Sequence, residues 1–231
     1  MRATTAHCTR LELFGDRVRA RFDCDLVPRP GQFLLARLTP AYDPYLRQSL
    51  FPSQLSEAGF ALDLPTASPV LGFITPGAQV DILGPAGSPL PDIPPRSRVL
   101  LIAHDPSALL PLAAGAIQSG GEATLLLSSP YPLEALDPQI ELRVGDLASL
   151  AAEFASTADL VFMHVPAPLR KTLHDRLADS RAVLAPSLAH ALCSTATPCG
   201  TGACGACYVR TTRGHKLACL DGPFFSLAQL D

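Results

Sequence analysis

The sequence predicts an antiparallel β-barrel, then an α/β doubly wound parallel sheet, then a small cysteine-rich C-terminal module. Three observations carry this. Up to about residue 95, short apolar runs are broken by turn residues and show no helical period. From 97 to about 187, five-residue apolar runs alternate with helix-compatible stretches. Five of the seven cysteines then fall between Cys193 and Cys219. The corresponding domain boundaries are 1–95, 96–187 and 188–231.

In the first region the strand candidates are Arg17–Phe22, Gln32–Leu38 and Val80–Leu83. Pro30-Gly31, Thr75-Pro76-Gly77 and Gly84-Pro85-Ala86-Gly87 are the turn signals between them. Strands so spaced suit a small barrel or sandwich. Pro89, Pro91, Pro94 and Pro95 form a stiff connection at the boundary. In the second region Val99–Ala103, Ala123–Leu127, Ile140–Val144, Leu160–His164 and Ala182–Ala185 read as buried strands. Helices are expected at Pro106–Gln118, Asp146–Phe154 and Pro166–Leu177, each opening on a Pro or Asp as helix starts prefer. Ser129–Gln139 is too proline-rich for a full helix.

Composition narrows the function classes. The 231 residues are 48% hydrophobic and 17% charged, enough apolar content to fill a core. Net charge is −3, so there is no basic surplus to neutralise a nucleic-acid backbone. No apolar run approaches the roughly 20 residues of a membrane span. The N-terminal Met1–Leu11 has no apolar stretch after its charge, so a secretory leader is not expected. An odd cysteine count argues against a disulfide framework, and a cytoplasmic protein is the expectation.

The cysteines carry the chemistry. Their spacing is Cys199-x4-Cys204-x2-Cys207-x11-Cys219. The first three match the plant-type [2Fe–2S] pattern, with a fourth cysteine further on. Such a cluster needs four thiolates from a loop that wraps it closely and turns backbone N–H groups towards the sulfurs. Gly200, Gly202 and Gly205 supply the conformational freedom for that loop. A zinc site with four cysteine ligands is the alternative, although zinc ligands usually come as two C-x2–4-C pairs. Buried, unligated thiols are another. Cys8, Cys24 and Cys193 read as core thiols, His215 as a turn residue, and Phe224 and Phe225 as a cover for the cluster.

Cys199–Val209 together with Leu217–Phe224 resembles the cluster-binding end of the electron-transfer subunits of NAD-dependent dihydroorotate dehydrogenases, a ferredoxin-reductase-like family. Pro30–Phe33, Asp43–Arg47 and Pro76–Pro85 resemble its flavin-binding barrel, and Ala158–Phe162 the last strand of its nucleotide domain. The resemblance covers nearly the whole chain, with its specificity in the last quarter. It implies a [2Fe–2S] cluster on Cys199, Cys204, Cys207 and Cys219, and FAD on the barrel with contacts at Arg47 and Ser49. It also implies a hetero-oligomer in which electrons pass between this chain and an FMN-containing dihydroorotate dehydrogenase subunit.

The sequence departs from that family at two places. Around Arg47-Gln48-Ser49-Leu50-Phe51, part of the flavin- and pyrophosphate-facing set is replaced, and Ala67–Gly72 lacks the Gly-Thr pair that would enter a helix. After Val99–Ala103, the glycine-rich turn that admits phosphate is replaced by His104-Asp105-Pro106-Ser107, with Asp105 reading as a helix N-cap. His164-Val165-Pro166 stands where the family has Cys-Gly-Pro. NAD use is therefore expected to be lost, and the chain is not expected to act alone as an NADH oxidoreductase. His104 and His164 read as strand-end residues, and His174 as part of a solvated face. Two other readings stay open. One is a non-catalytic pseudo-reductase whose cluster is structural or redox-sensing. The other is an electron-transfer subunit of a different complex, such as a hydrogenase.

Overall fold

A computed structural model describes residues 1–39, 46–180 and 185–230. These form two compact units, with the break in the leading part of the chain between Leu90 and Pro91. The first unit comprises Met1–Leu90, Ser194–Val209 and Lys216–Pro223; the second comprises Pro91–Cys193, Arg210–His215 and Phe224–Asp231. The last forty residues are thus shared between the two. Phe224–Ser226 joins the second sheet, while the loop bearing the four clustered cysteines is held by the first unit.

The first unit is an antiparallel sheet of seven strands: β1 (Arg2–Phe14), β2 (Arg17–Asp23), β3 (Phe33–Arg37), β4 (Gln48–Leu50), β5 (Gln54–Ser56), β6 (Gly59–Pro65) and β7 (Gln79–Ala86). Their order is β4-β3-β7-β1-β2-β6-β5. Period-two alternation places Ala6 and Cys8 of β1, Ala20 and Phe22 of β2, Leu34 and Ala36 of β3, and Val80 and Ile82 of β7 in one core. Leu50 of β4 and Leu55 of β5, from opposite ends of the sheet, meet the same core, so the sheet curls around it. Phe22 stacks on Phe60 there, with centroids 5.1 Å apart.

β1 is the longest strand, yet its sequence hides it. Only Ala6 and Cys8 of its thirteen residues are fully buried, and the rest are largely polar. β7 runs through Gly84-Pro85-Ala86, which the sequence suggested as a turn; the turn comes at Gly87, with φ +83°. Among the charged residues of this unit Arg19 and Asp63 are the most enclosed. Across the β2–β6 ladder the Arg19 guanidinium donates Nε and Nη2 to the two Asp63 oxygens, both at 2.7 Å.

In the second unit five parallel strands, β8 (Arg98–Ala103), β9 (Glu122–Leu127), β10 (Ile140–Val144), β11 (Leu160–His164) and β12 (Ala189–Leu192), are joined by antiparallel β15 (Phe224–Ser226). The order is β10-β9-β8-β11-β12-β15. Of the expected strand Ala182–Ala185, residues 182–184 lie outside the described residues, and Ala185 is not in a strand. The parallel partner of β11 is β12, at Val161↔Ala189. Leu147 and Ala151 of α2 (Leu147–Phe154) and Leu173 and Leu177 of α3 (Ala167–Asp179) share one core with Leu100, Ile102, Val161 and Met163. The buried residues of α1 (Leu110–Gln118) lie outside that core, and α1 packs on β8 and β9. The sheet is therefore covered on both faces, as doubly wound sheets require. Asp146 caps α2 by accepting the Ser149 N–H at 2.9 Å.

No helix among the described residues is long and apolar enough to cross a membrane. Between these elements, β13 (Tyr208–Thr211) and β14 (Gly214–Leu217) form a two-stranded hairpin.

The Arg19–Asp63 pair yields a stability prediction. Removing one partner of a buried pair strands a charge, typically at a cost of about 3–5 kcal/mol. Asp63→Ala is expected to lower unfolding free energy in urea by about that amount; a loss below about 1 kcal/mol would show the pair to be dispensable.

Candidate metal centre

The loop from Cys199 to Cys207 contains no charged residue, nor does the whole stretch Ser194–Val209. It turns three times through conformations that favour glycine: Gly200 at φ +69°, Gly202 at +79° and Gly205 at +66°. Gly200 is also needed for close approach. A Cβ there would stand 2.4 Å from Leu35 Cδ1 and 2.6 Å from Met1 Cε. Leu35 is fully buried on β3, so it has little room to yield. The loop is thus laid directly on the barrel sheet.

The second arm, Leu217–Pro223, is fastened to the end of β7. The Gly87 N–H donates to Cys219 O at 2.8 Å, Ser88 N–H to Gly222 O at 2.6 Å, and Ser88 Oγ to Leu220 O at 2.7 Å. Gln32 Nε2 holds Gly87 O at 2.9 Å. Ala218 N–H donates to Cys207 O at 2.9 Å, which ties the two arms together. The Asp221 carboxylate accepts from Leu217 N–H at 2.8 Å and closes the turn beyond the last cysteine.

These arms set the four cysteines as two pairs. Cys207 Sγ lies 3.2 Å from Cys219 Sγ. Cys199 Sγ accepts the Thr201 N–H at 3.4 Å. Backbone N–H groups of Cys204 and Thr201, then the Cys204 thiol, hold the Cys199 thiol down to about 6. Burial and the adjacent Cys207 push Cys219 up to about 12, against the Gly202 N–H that donates to it; the charge of Cys199 also reaches it. Cys204 is exposed, while Cys207 and Cys219 are buried. Among the described residues no three His, Cys, Asp or Glu side chains converge as ligands of one metal ion. The thiols stand as two pairs, Cys199 with Cys204 and Cys207 with Cys219. Sulfurs met by backbone N–H groups, on a glycine loop, provide the donor set that a thiolate-bound iron–sulfur cluster requires.

The other candidates separate from this centre. Cys8 and Cys24 are buried in the barrel core, and burial raises both thiols. Cys193 is buried in the second unit, where Arg170 Nη1 donates to its sulfur at 2.6 Å. Phe224 and Phe225 are buried in β15, with Phe224 edge-on to Phe162 at 6.2 Å. His215 is exposed in β14 rather than in a turn, and His174 is half-buried beside an exposed Asp175.

Of the flavin candidates, Asp43–Tyr45 lie outside the described residues. Arg47 donates to both Asp81 carboxylate oxygens, at 2.8 and 3.2 Å. Such a half-exposed pair is worth about 1 kcal/mol or less, so an incoming pyrophosphate can compete for the guanidinium. Ser49 sits in β4 opposite Leu35, and Phe51 packs on Phe33 with centroids 5.2 Å apart. The segment expected to lack a helix entry carries only a four-residue 3-10 turn, Pro69–Gly72. Arg47 and Ser49 stand two residues apart, one cation and one hydroxyl at the edge strand β4.

Comparison with known proteins agrees with this geometry. Residues 197–231 match the family "Iron-sulfur cluster binding domain of dihydroorotate dehydrogenase B". The chain is 25% identical over 228 residues to the "Dihydroorotate dehydrogenase B (NAD(+)), electron transfer subunit" of Geobacillus sp. (strain WCH70), covering 87% of this chain and 86% of that protein. Among solved structures, an NADH-dependent reduced ferredoxin-NADP oxidoreductase superposes with a TM-score of 0.78 at 20% identity, over 98% of this chain and 89% of that one. The flavohem-like FAD/NAD binding domain of nitric oxide dioxygenase from Vibrio cholerae O1 biovar El Tor gives a TM-score of 0.64 at 13% identity, over 81% and 96%. The fold is ferredoxin-reductase-like, and its C-terminal end is of the iron–sulfur-binding type.

The glycines give a graded prediction. Gly200→Ala meets both an unfavourable φ and the buried Leu35, whereas a Cβ at Gly205 meets nothing within 4 Å. Iron content after anaerobic purification is expected to fall sharply for Gly200→Ala and only slightly for Gly205→Ala, where the cost is about 1 kcal/mol. Equal loss in both would contradict the close packing.

Proposed function

We propose that this chain is an electron-transfer subunit, passing electrons through a [2Fe–2S] cluster to or from a catalytic dihydroorotate dehydrogenase subunit. The observation that carries this is the glycine loop. It sets Cys199 beside Cys204 and, with the second arm, Cys207 beside Cys219, with backbone N–H groups turned to Cys199 and Cys219, within the segment that matches the iron–sulfur-binding family. The likeness to the Geobacillus subunit along most of both chains extends the reading from the segment to the whole protein.

In this reading Cys199, Cys204, Cys207 and Cys219 are the four ligands. A bound [2Fe–2S] cluster supplies reversible one-electron storage. The chain's own contribution is electrostatic and steric. Backbone N–H groups donate to Cys199 and favour the thiolate form that binds iron, while at Cys219 burial and Cys207 outweigh the Gly202 N–H. Buried Cys207 and Cys219 shield one side from water. Cys204 and the small residues Gly202, Ala203, Gly205 and Ala206 leave the other side open, where a partner's redox group can come close. FAD belongs to the same reading, held on the barrel by Arg47 and Ser49, with Arg47 exchanging Asp81 for the pyrophosphate. The seven cysteines are all unpaired, which suits the reducing cytoplasm.

Two experiments test this. Mixed anaerobically with an FMN-containing dihydroorotate dehydrogenase subunit and dihydroorotate, the chain should develop the EPR signal of a reduced cluster. That signal should be absent without the partner and in Cys204→Ser. Full reduction in Cys204→Ser would remove Cys204 from the ligand set, and no reduction in the wild type would reject the partner. Separately, Arg47→Ala removes charge-assisted hydrogen bonds worth about 1.5–3 kcal/mol, so FAD affinity should fall about 10- to 100-fold. Unchanged FAD retention would place the flavin elsewhere.

A further inference from the structure

Ligands of doubly wound sheets bind where the strand order reverses, at the carboxyl ends of the strands. In the second unit that point lies between β8 and β11. A dinucleotide seated there places its pyrophosphate on free N–H groups at the start of the following helix, usually across a glycine turn.

Here those donors are spent. Pro106 and Pro111 have no N–H. Ser107 N–H donates to Asp105 Oδ1 at 3.0 Å, and Ser107 Oγ donates to the same oxygen at 2.6 Å. Leu109 and Leu110 N–H groups both donate to Pro106 O, at 2.7 and 3.2 Å. Five of the six backbone positions from Pro106 to Pro111 are therefore closed to a phosphate. Asp105 already places a carboxylate at the positive end of the 3-10 turn that leads into α1.

The neighbouring strand ends are tied across the same crevice. His104 N–H donates to His164 O at 3.4 Å, and His164 Nδ1 lies 3.3 Å from Asp105 O. His104 Nδ1 lies 2.6 Å from Ser128 Oγ, at the end of β9. No Lys or Arg occurs between Arg98 and Arg143, so neither the carboxyl ends of β8 and β9 nor the segments that follow them offer a cation. Burial holds His164 below the ordinary imidazole range, so at neutral pH it brings no positive charge either.

We infer that Asp105 is a built-in anion occupying the phosphate seat of this crevice, and that the chain does not bind NAD(H) or NADP(H). Building on the relay reading, nicotinamide is then neither its source nor its sink of electrons, and both ends of the relay are protein-bound redox groups. This sets the chain apart from relatives whose names carry NAD(+) or NADH.

The test uses anaerobically purified full-length protein, with its iron and sulfide content and EPR spectrum recorded on the same sample. Titration with NADH, NADPH and ADP-ribose by calorimetry should give no saturable binding up to about 1 mM. Neither NADH nor NADPH should bleach the visible absorption that dithionite bleaches. Saturable binding below about 100 μM, or reduction by either nucleotide, overturns the inference. Asp105→Gly removes the carboxylate to which the Ser107 N–H donates. It should gain ADP-ribose binding, with amide shifts at Ser107 and Ala108. A folded Asp105→Gly without that gain overturns the role given to Asp105; if the variant does not fold, Asp105→Asn, which keeps the turn but removes the charge, takes its place. Missing iron and sulfide would sink the relay reading and leave the nucleotide result standing.

Discussion

Much of the first unit depends on one close contact between two bare backbones. A Cβ at Gly87 would stand 2.5 Å from Gly222 O, and Gly87 has a positive φ as well. Only a glycine allows the end of β7 to lie against the turn after Cys219. Through that contact the hydrogen bonds of Gly87 and Ser88 fix the carbonyls of Cys219, Leu220 and Gly222. Cys219 is in turn set against Cys207, and the Ala218–Cys207 hydrogen bond carries the placement to the first arm. A loop with so many glycines has high entropy when free, so its order must come from such anchors. The barrel supplies them at both ends, Leu35 beneath Gly200 and Gly87 beside Gly222.

The cysteine centre was the most legible part of the sequence, because its chemistry dictates both residue type and spacing. Cluster ligation leaves little freedom in C-x4-C-x2-C, and the glycines between the ligands are required by the backbone path. The parallel sheet was legible for a different reason: strands buried on both faces read as unbroken apolar runs, as in Val99–Ala103 and Leu160–His164. β12 at Ala189–Leu192 was less so, since His190 interrupts its run and Ala182–Ala185 offers a more apolar one nearby. β1 was hidden by its polar outer face. The role of Gly87 could not be read at all, because its partner is 135 positions further along the chain and only folding brings the two together.

On the proposed reading, the two units depart to different extents from a nucleotide-dependent reductase. In the barrel, the change is modest: Arg47 remains, paired to an exposed carboxylate that it can release. In the α/β unit it is thorough. Pro106 and Pro111 offer no N–H, Asp105 takes the Ser107 N–H, and no cation stands at the carboxyl ends of β8 and β9 or in the segments that follow them. A fold can lose a ligand while keeping its scaffold because the sheet and helices owe their stability to burial. The phosphate seat contributes little to that burial, so His104, Asp105 and Ser107 could change without disturbing the core formed by Leu100, Ile102, Val161 and Met163.

The central claim is that the four clustered thiols hold iron and sulfide as a redox centre, and its most direct measurement is the iron, sulfide and zinc content of the full chain purified without oxygen, with EPR after dithionite. Two irons and two sulfides per chain are predicted, on the four-thiolate pattern, with a signal that appears on reduction. Stoichiometric zinc with neither iron nor sulfide, and no signal, would contradict the account.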